Sequence, residues 1–414
     1  MPFTRPGRVG NPCVTPWASP WALGLGLLAL LLSGCAGIDA APRRPAHPAS
    51  AAMACEALAS QFAYPHTRIV SVEAVAAGQL SLPGIAETMP AHCVVRGSMN
   101  ERIGPVDGKP YAIDFEMRLP TAWNERFFYQ TNGGLDGFVV PAYGNILGGG
   151  PTSNGLLKGF AVISSDGGHR FDRSTPIGGA TFGLDPQARL DYGYDAVVQL
   201  TPMAKALIHR YYGKGPDTSY LVGTSNGGRM GFVAASRLPQ AFDGILVSTP
   251  GYNLPRAAVA QVWDAQQFAR IARTDAKTGR PDLRSAFSPA DLALLSARIL
   301  ARCDGLDGLV DGIVADTAGY QAAFDLQRDV PACAPGAAPD GHCLSPAQKD
   351  VLARVFGGPV DSSGRRLYAG LAWDPGVAGR GWAEWKFDYS VGPRDAIALA
   401  FVMTTPPASP EVVT

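Results

Sequence analysis

Apolar and polar positions repeat with two different periods along this chain. From Tyr111 to Leu119 they alternate residue by residue, as in a strand with one buried face, and Phe127 to Gln130 reads as a second, short strand. Gly159-Phe160-Ala161-Val162-Ile163-Ser164 is a continuous apolar run of the kind found in buried strands, closed by the polar turn Asp166-Gly167-Gly168-His169. Over Ala196 to Tyr212 the period lengthens: Val197, Leu200, Met203 and Leu207 recur at helical spacing. Tyr220 to Thr224 is β-prone, Arg229 to Arg237 is helix-compatible, and Phe242 to Ser248 returns to a strand. Strands alternating with helices predict a mostly parallel sheet covered on both faces. After Pro250 the alternation stops, and residues 251–414 read as helical segments and long loops, a lid inserted where the last strand ends.

Between the strand at Tyr220 and its helix lies Gly223-Thr224-Ser225-Asn226-Gly227. Gly-x-Ser-x-Gly in a strand–turn–helix context is the pattern of a nucleophile elbow. The glycines remove Cβ atoms that would clash where the chain turns sharply, and the turn leaves the Ser225 hydroxyl exposed near the positive end of a helix. A serine nucleophile and an α/β-hydrolase architecture are therefore expected. Acyl transfer also needs donors for the tetrahedral oxyanion. The backbone N–H of Asn226 is one candidate. The Gly-rich stretch Thr131-Asn132-Gly133-Gly134-Leu135-Asp136-Gly137, after an early strand, supplies the other, with Gly133 preferred over Gly134.

A second chemical pattern is Asp304-Gly305-Leu306-Asp307-Gly308-Leu309-Val310-Asp311-Gly312-Ile313. Three carboxylates with glycines between them and no Lys or Arg among them repel one another unless a cation intervenes. The side chains of Asp304, Asp307 and Asp311 with the carbonyls of Leu309 and Ile313 offer hard oxygen ligands suited to a structural calcium. The spacing is not that of an EF-hand, and no zinc-type cluster of His and Cys occurs.

The N-terminus reads as an address. Arg5 and Arg8 precede an apolar run, Trp21 to Leu32, too short for a comfortable membrane span, and Leu32-Ser33-Gly34-Cys35 resembles a bacterial lipobox with Cys35 as the lipidated residue. Residues 1–35 are thus expected to be a lipoprotein signal and 36–54 an Ala/Pro-rich tether, with the hydrolase core over 55–250. The protein is expected to be exported, in the outer membrane through a lipid anchor or free in the periplasm or outside. Lys and Arg balance Asp and Glu at 35 each, with no basic stripe, which argues against nucleic acid as a partner. Seven cysteines suit an oxidising compartment. Setting aside Cys13 and Cys35 leaves five, for which Cys55–Cys93 and Cys333–Cys343 are the pairings expected, leaving Cys303 over; spacing alone does not fix connectivity.

Val222-Gly223-Thr224-Ser225-Asn226-Gly227-Gly228-Arg229, the Cys303-to-Ile313 loop and Cys343-Leu344-Ser345-Pro346-Ala347-Gln348 together resemble the tannase/feruloyl esterase family, as do the 159–169 and 205–213 segments. The resemblance spans roughly residues 55 to 410, with the bacterial mono(2-hydroxyethyl) terephthalate hydrolase group nearest in appearance. It implies a serine esterase for small aromatic esters with a calcium-bearing lid. Two positions depart from it: Thr224 stands where many members carry a cysteine bridged beside the catalytic histidine, and the usual partner of Cys303 is replaced near Tyr320.

A serine nucleophile needs a histidine base and an orienting carboxylate, in the chain order Ser, Asp/Glu, His for this architecture. Only His342 follows Ser225, within the lid; His169 precedes it and reads as structural or substrate-side, and His47, His66, His92 and His209 have no better case. No catalytic Asp or His is therefore assigned in this chain, and the sheet is expected to be truncated before its last strands. Trp382, Trp385 and Phe387 read either as an aromatic acyl pocket or as lid packing, and Arg394 as a substrate-carboxylate contact or a surface ion pair. The competing reading from another class is a calcium-stabilised surface-binding lipoprotein without catalysis.

Overall fold

The computed structural model describes residues 49–145, 152–174 and 178–408. The lipobox cysteine Cys35, the signal segment and most of the tether lie outside the described residues.

Seven strands build one sheet: β1 (Thr67–Val75), β2 (His92–Ile103), β3 (Pro110–Pro120), β4 (Arg126–Gln130), β5 (Ala161–Ser165), β6 (Thr218–Thr224) and β7 (Gly244–Ser248). Their order is β1-β2-β3-β5-β4-β6-β7. Pairings from β1 to β5 are antiparallel; β5–β4, β4–β6 and β6–β7 are parallel. The expectation of a mostly parallel sheet is thus corrected to a mixed one. The antiparallel half rests on β1 and β2, which the periodicity reading passed over. β1 alternates half-buried and exposed positions at the sheet edge, and β2 carries Arg96, Ser98, Asn100 and Glu101 among its apolar residues.

The parallel half follows from the pattern more directly. Successive side chains of a strand face opposite ways. Phe127 and Tyr129 of β4 enter the main core, while Phe128 between them joins Val162 and Val222 in a second core on the other face. Helix α1 (Ala196–Tyr212) buries Val197, Leu200, Met203 and Leu207 in the main core and ends where Gly213 turns left-handed at φ 76°. Helix α2 (Asn226–Arg237) springs directly from β6 and lies against β6 and β7. A disulfide between Cys55 and Cys93 fastens the start of the described chain to β2.

Residues beyond Pro250 gather around their own core. Helices α3 (Leu254–Ala269), α4 (Pro289–Cys303) and α5 (Pro346–Gly357) bury Phe268, Leu295, Ile299, Leu352 and Phe356 together. α4 and α5 each begin with a reciprocal cap and a proline: Ser288 with Asp291, and Ser345 with Gln348. Cys333–Cys343 staples the approach to α5, and Cys303 is buried and unpaired. Lys386 and Asp264 form a buried ion pair at 2.6 Å, and helix α6 (Asp395–Phe401) packs Ile397, Ala400 and Phe401 on Ala180 of the sheet region.

Candidate active site

Ser225 stands between the last residue of β6 and the first of α2, with φ 56° and ψ −120°. Those angles belong to the first central position of a mirror-image type II turn, where glycine is the usual occupant. A residue with a Cβ persists there only because its surroundings over-determine it. The surroundings are explicit. The Ser225 N–H donates to the Ser248 carbonyl (3.0 Å), and its carbonyl accepts from Arg229 and Gly251 (3.0 and 2.9 Å). A Cβ on Gly223 would overlap Thr131 Oγ1 and the Gly227 peptide, and one on Gly227 would lie 2.8 Å from Thr131 Oγ1 and 2.9 Å from the Asn132 carbonyl. The two glycines expected to permit the turn are therefore required by the close approach of the 131–137 loop.

Thr131 fastens that loop. Its hydroxyl donates to the carbonyls of Val222 (3.1 Å) and Gly227 (3.0 Å), and its N–H also donates to Val222. Gly133 is exposed at the loop tip, and Asn226 is buried at the helix start. Neither backbone N–H has an acceptor among the described residues. Two open donors thus flank the elbow, one on each element, with the positive end of α2 behind Asn226.

Three further residues were not singled out from the sequence. Asp136, left-handed at φ 55° and buried, accepts a 2.8 Å hydrogen bond from the Asn226 side-chain amide. Arg229 donates to Asn226 Oδ1 (2.8 Å) and to the carbonyls of Gly193 (2.9 Å) and Tyr192 (2.7 Å). Tyr192 donates its hydroxyl to the Gly134 carbonyl (3.3 Å). The signal available was an acid inside a Gly-rich loop, and an arginine three residues after Asn226, one helical turn along. Burial pushes the Asp136 carboxyl up to about 8, against the pull of Arg229 and the Asn226 bond.

The histidines lie elsewhere. His169 is buried and stacked on Phe182 at 3.6 Å between ring centres; burial pushes it down to about 4, against the opposing pull of the Leu135 and Gly167 backbone. The reading of His169 as structural fits this setting. His92 is buried between the Pro90 carbonyl and Arg118, while His66, His209 and His342 are exposed. Among the described residues, no histidine or carboxylate is hydrogen-bonded to the Ser225 hydroxyl.

In the helical part, Phe387 is core, packed edge-on against Phe268 and Trp382. Trp385 is 40% exposed with the Arg394 guanidinium over its ring, and Arg394 pairs with Asp395. Packing in the helical core therefore accounts for Phe387. Trp382 and Trp385 do line an open cavity of about 610 Å³. A cleft of about 620 Å³ beside α2, lined by Tyr192, Arg229, Phe232 and Tyr252, does not include Ser225.

Asp307 and Asp311 are exposed and Asp304 is half-buried, and each carboxylate accepts backbone N–H groups of its own loop: Asp304 from Asp311 and Gly312, Asp307 from Leu309 and Ala315, and Asp311 from Ile313. No Lys or Arg pairs with them among the described residues, and the carbonyls of Leu309 and Ile313 accept no hydrogen bond there. The donor chemistry fits a hard cation. In this arrangement, however, no three His, Cys, Asp or Glu side chains among the described residues come together as a metal cage.

The mixed sheet with a strained serine between strand and helix defines an α/β-hydrolase-type protein. Crystal structures of feruloyl esterase B from Aspergillus oryzae (TM-score 0.64, 23% identity, covering 84% of this chain and 64% of that one) and of a tannin acyl hydrolase from Aspergillus niger (TM-score 0.58, 21% identity, covering 86% and 65%) share the fold. The family model for tannase and feruloyl esterase matches residues 93–395, and the chain belongs to that family. It is 40% identical over 363 residues to a mono(2-hydroxyethyl) terephthalate hydrolase of Piscinibacter sakaiensis, covering 82% of this chain and 59% of that protein. It is 31% identical over 253 residues to a probable feruloyl esterase B-1 of Neosartorya fischeri, covering 61% and 43%. The chain thus spans about half the length of the curated relatives it matches, 59% of one and 43% of the other.

Proposed function

We propose that this chain carries the nucleophile and oxyanion half of a serine carboxylic-ester hydrolase for small aromatic esters. The observation that carries the reading is the backbone of Ser225: a non-glycine residue held at φ 56° between β6 and α2, beside two amides with no acceptor. Ser225 Oγ attacks the ester carbonyl carbon, and the N–H groups of Asn226 and Gly133 receive the oxyanion. The alcohol then leaves, and water hydrolyses the acyl-enzyme. The names of the relatives, a terephthalate-ester hydrolase and feruloyl esterases, support an aromatic acyl group. A base must take the Oγ proton, and none of the described residues is bonded to Ser225 for that task.

The Asp304–Ile313 loop is proposed as a structural calcium site, in which Asp304, Asp307, Leu309, Asp311 and Ile313 would exchange their own loop's hydrogen bonds for the cation. Export is proposed from the two disulfides and the lipobox, with Cys35 as anchor; no helix among the described residues is long and apolar enough to cross a membrane.

The test is covalent labelling. A fluorophosphonate should form one adduct, mapped by peptide sequencing to Ser225, and Ser225→Ala should remove it. Labelling that survives the substitution, or falls on another residue, sinks the proposal.

A further inference from the structure

The hydrogen bonds around Asn226 form a closed circuit. The 131–137 loop reaches the helix through Asp136 to the Asn226 side chain (2.8 Å), and Asn226 is joined to Arg229 (2.8 Å). Arg229 is held by the Tyr192 and Gly193 carbonyls, and its guanidinium carbon lies 4.6 Å from the centre of the Tyr192 ring. Tyr192 returns to the loop at the Gly134 carbonyl (3.3 Å). The circuit leaves the loop at Asp136 and re-enters it at Gly134, next to Gly133. On the helix it passes through Asn226, whose own N–H is the other open donor. Its members are buried or partly buried, and the loop cannot drift backwards: a Cβ on Gly167 would already sit 2.9 Å from Asp136 Oδ2. Beside the loop is a small cavity of about 20 Å³, room for a single water, lined by Asn132, Asp136, Asp191 and Tyr192 among others.

We infer that Asp136 is a positioning residue: through the Asn226 side chain it fixes the separation of the Gly133 and Asn226 amides, and so the width of the oxyanion site. It touches neither substrate nor nucleophile. Oxyanion donors act only when preorganised at the place where charge develops, so a loop released by a fraction of an ångström loses much of their effect. Asp136 needs only to accept a hydrogen bond from Asn226; its negative charge is not required, and asparagine at 136 can serve through its carbonyl oxygen.

This inference rests on the serine-esterase reading, and its test separates the two. Ser225 is labelled with a pair of aryl phosphonate esters that differ only in P=O against P=S. In each, the bond from Oγ to phosphorus forms, the phenolate leaves and the serine proton passes to buffer. Sulfur is the poorer acceptor and fits the donors badly, so the oxo-to-thiono rate ratio, corrected for the ratio in free solution, reports on the oxyanion site. A general loss of folding lowers both rates and leaves their ratio unchanged.

In Asp136→Ala and in Asn226→Ala, which keeps its backbone N–H, the ratio should fall roughly 10- to 100-fold. The double variant should fall no further than either single one, because both break the same link. Asp136→Asn should stay within about 3-fold of the unsubstituted protein. A ratio unchanged in the alanine variants, additive losses in the double variant, or a failure of asparagine to substitute for aspartate overturns the inference. If Ser225 is not the residue labelled, the esterase reading fails instead. Hydrogen exchange of the 131–137 segment then decides the matter: faster exchange in Asn226→Ala supports the link, and unchanged exchange refutes it.

Discussion

The elbow and the acidic loop are both short runs of polar residues spaced by glycine, and they hold their shapes by opposite means. At the elbow the glycines are spaces for other atoms: Thr131 and the Asn132 carbonyl occupy what a Cβ on Gly223 or Gly227 would need, and Ser225 is forced into a conformation it would not choose. In the 304–313 loop nothing lies within 4 Å of a Cβ on Gly308 or Gly312, where the glycines serve φ of 95° and 82°. Its carboxylates are satisfied by amides a few residues away, and Leu309, Val310 and Ile313 are exposed. The elbow is shaped by tertiary packing. The loop is shaped by local hydrogen bonds, which leave its carboxylates open to exchange with a cation.

That contrast predicts a large effect at the elbow. Gly223→Ala should destabilise the protein by about 3 kcal/mol or more, because the new methyl group meets backbone as well as the Thr131 hydroxyl and neither can move away. It should also abolish labelling of Ser225. Gly308→Ala, at an open but left-handed position, should cost only about 1 kcal/mol. Urea unfolding of the two variants checks both, and equal costs would erase the distinction.

Acid should also separate the two regions. His169, buried next to the loop that carries Asp166, is held neutral with its titration pushed from 6.5 down to about 4. In the unfolded chain it gains a proton near the ordinary value, so the stability it secures is complete above about pH 6.5 and is lost as pH falls towards 4. The loss is about 3 kcal/mol on this account. Asp136 acts in the opposite sense: its carboxyl is raised to about 8, so its share is complete below about pH 4 and is lost as pH rises through 8. His169→Phe, which keeps the stacking on Phe182, should flatten the acid side of the stability profile between pH 6.5 and 4. Parallel profiles for the variant and the unsubstituted protein would remove His169 as the cause.

What could be read from the sequence divides along the same line. The strand–Ser225–helix turn and the α1 helix over Ala196 to Tyr212 were expected from residue type and spacing, and the structure has them. Both depend on steric or periodic rules that act within a short stretch of chain, whereas the two disulfides, also present, are pairings that spacing alone did not fix. β1 was missed because an edge strand with one side unpaired carries little apolar signal, and β2 because Arg96, Ser98, Asn100 and Glu101 interrupt its apolar positions although most of the strand is buried. Asp136, Arg229 and Tyr192 were missed because their meaning depends on three segments meeting, and nothing in the 131–137 run marks Asp136 as the partner of Asn226. The aspartates of the 304–313 loop were conspicuous in the sequence, yet the backbone bonds they make were not.

The acidic loop has its own test. Calcium at about 100 times its dissociation constant should add about 2.7 kcal/mol to stability, read as a rise in melting temperature over a sample in chelator. Magnesium should do less, since it demands a stricter octahedron than a flexible loop supplies. Asp304→Asn together with Asp307→Asn should remove the calcium response while leaving Ser225 labelling near its original rate. A melting temperature indifferent to calcium would leave the loop as a self-bonded turn.

The smallest expected effect probes the elbow itself. If tertiary contacts hold Ser225 in a backbone region that disfavours any side chain, removing the side chain should release strain of about 1–3 kcal/mol. Glycine also makes the unfolded chain more flexible, which offsets up to about 1 kcal/mol of that. Ser225→Gly should therefore be more stable than the unsubstituted protein by about 1 kcal/mol, while Ser225→Ala, which keeps the Cβ, should gain nothing. Both variants lose the hydroxyl, so a difference between them isolates the backbone from the chemistry. Equal stabilities for the two would mean that φ 56° at Ser225 costs the fold nothing, and the elbow would then be an ordinary turn that happens to contain a serine.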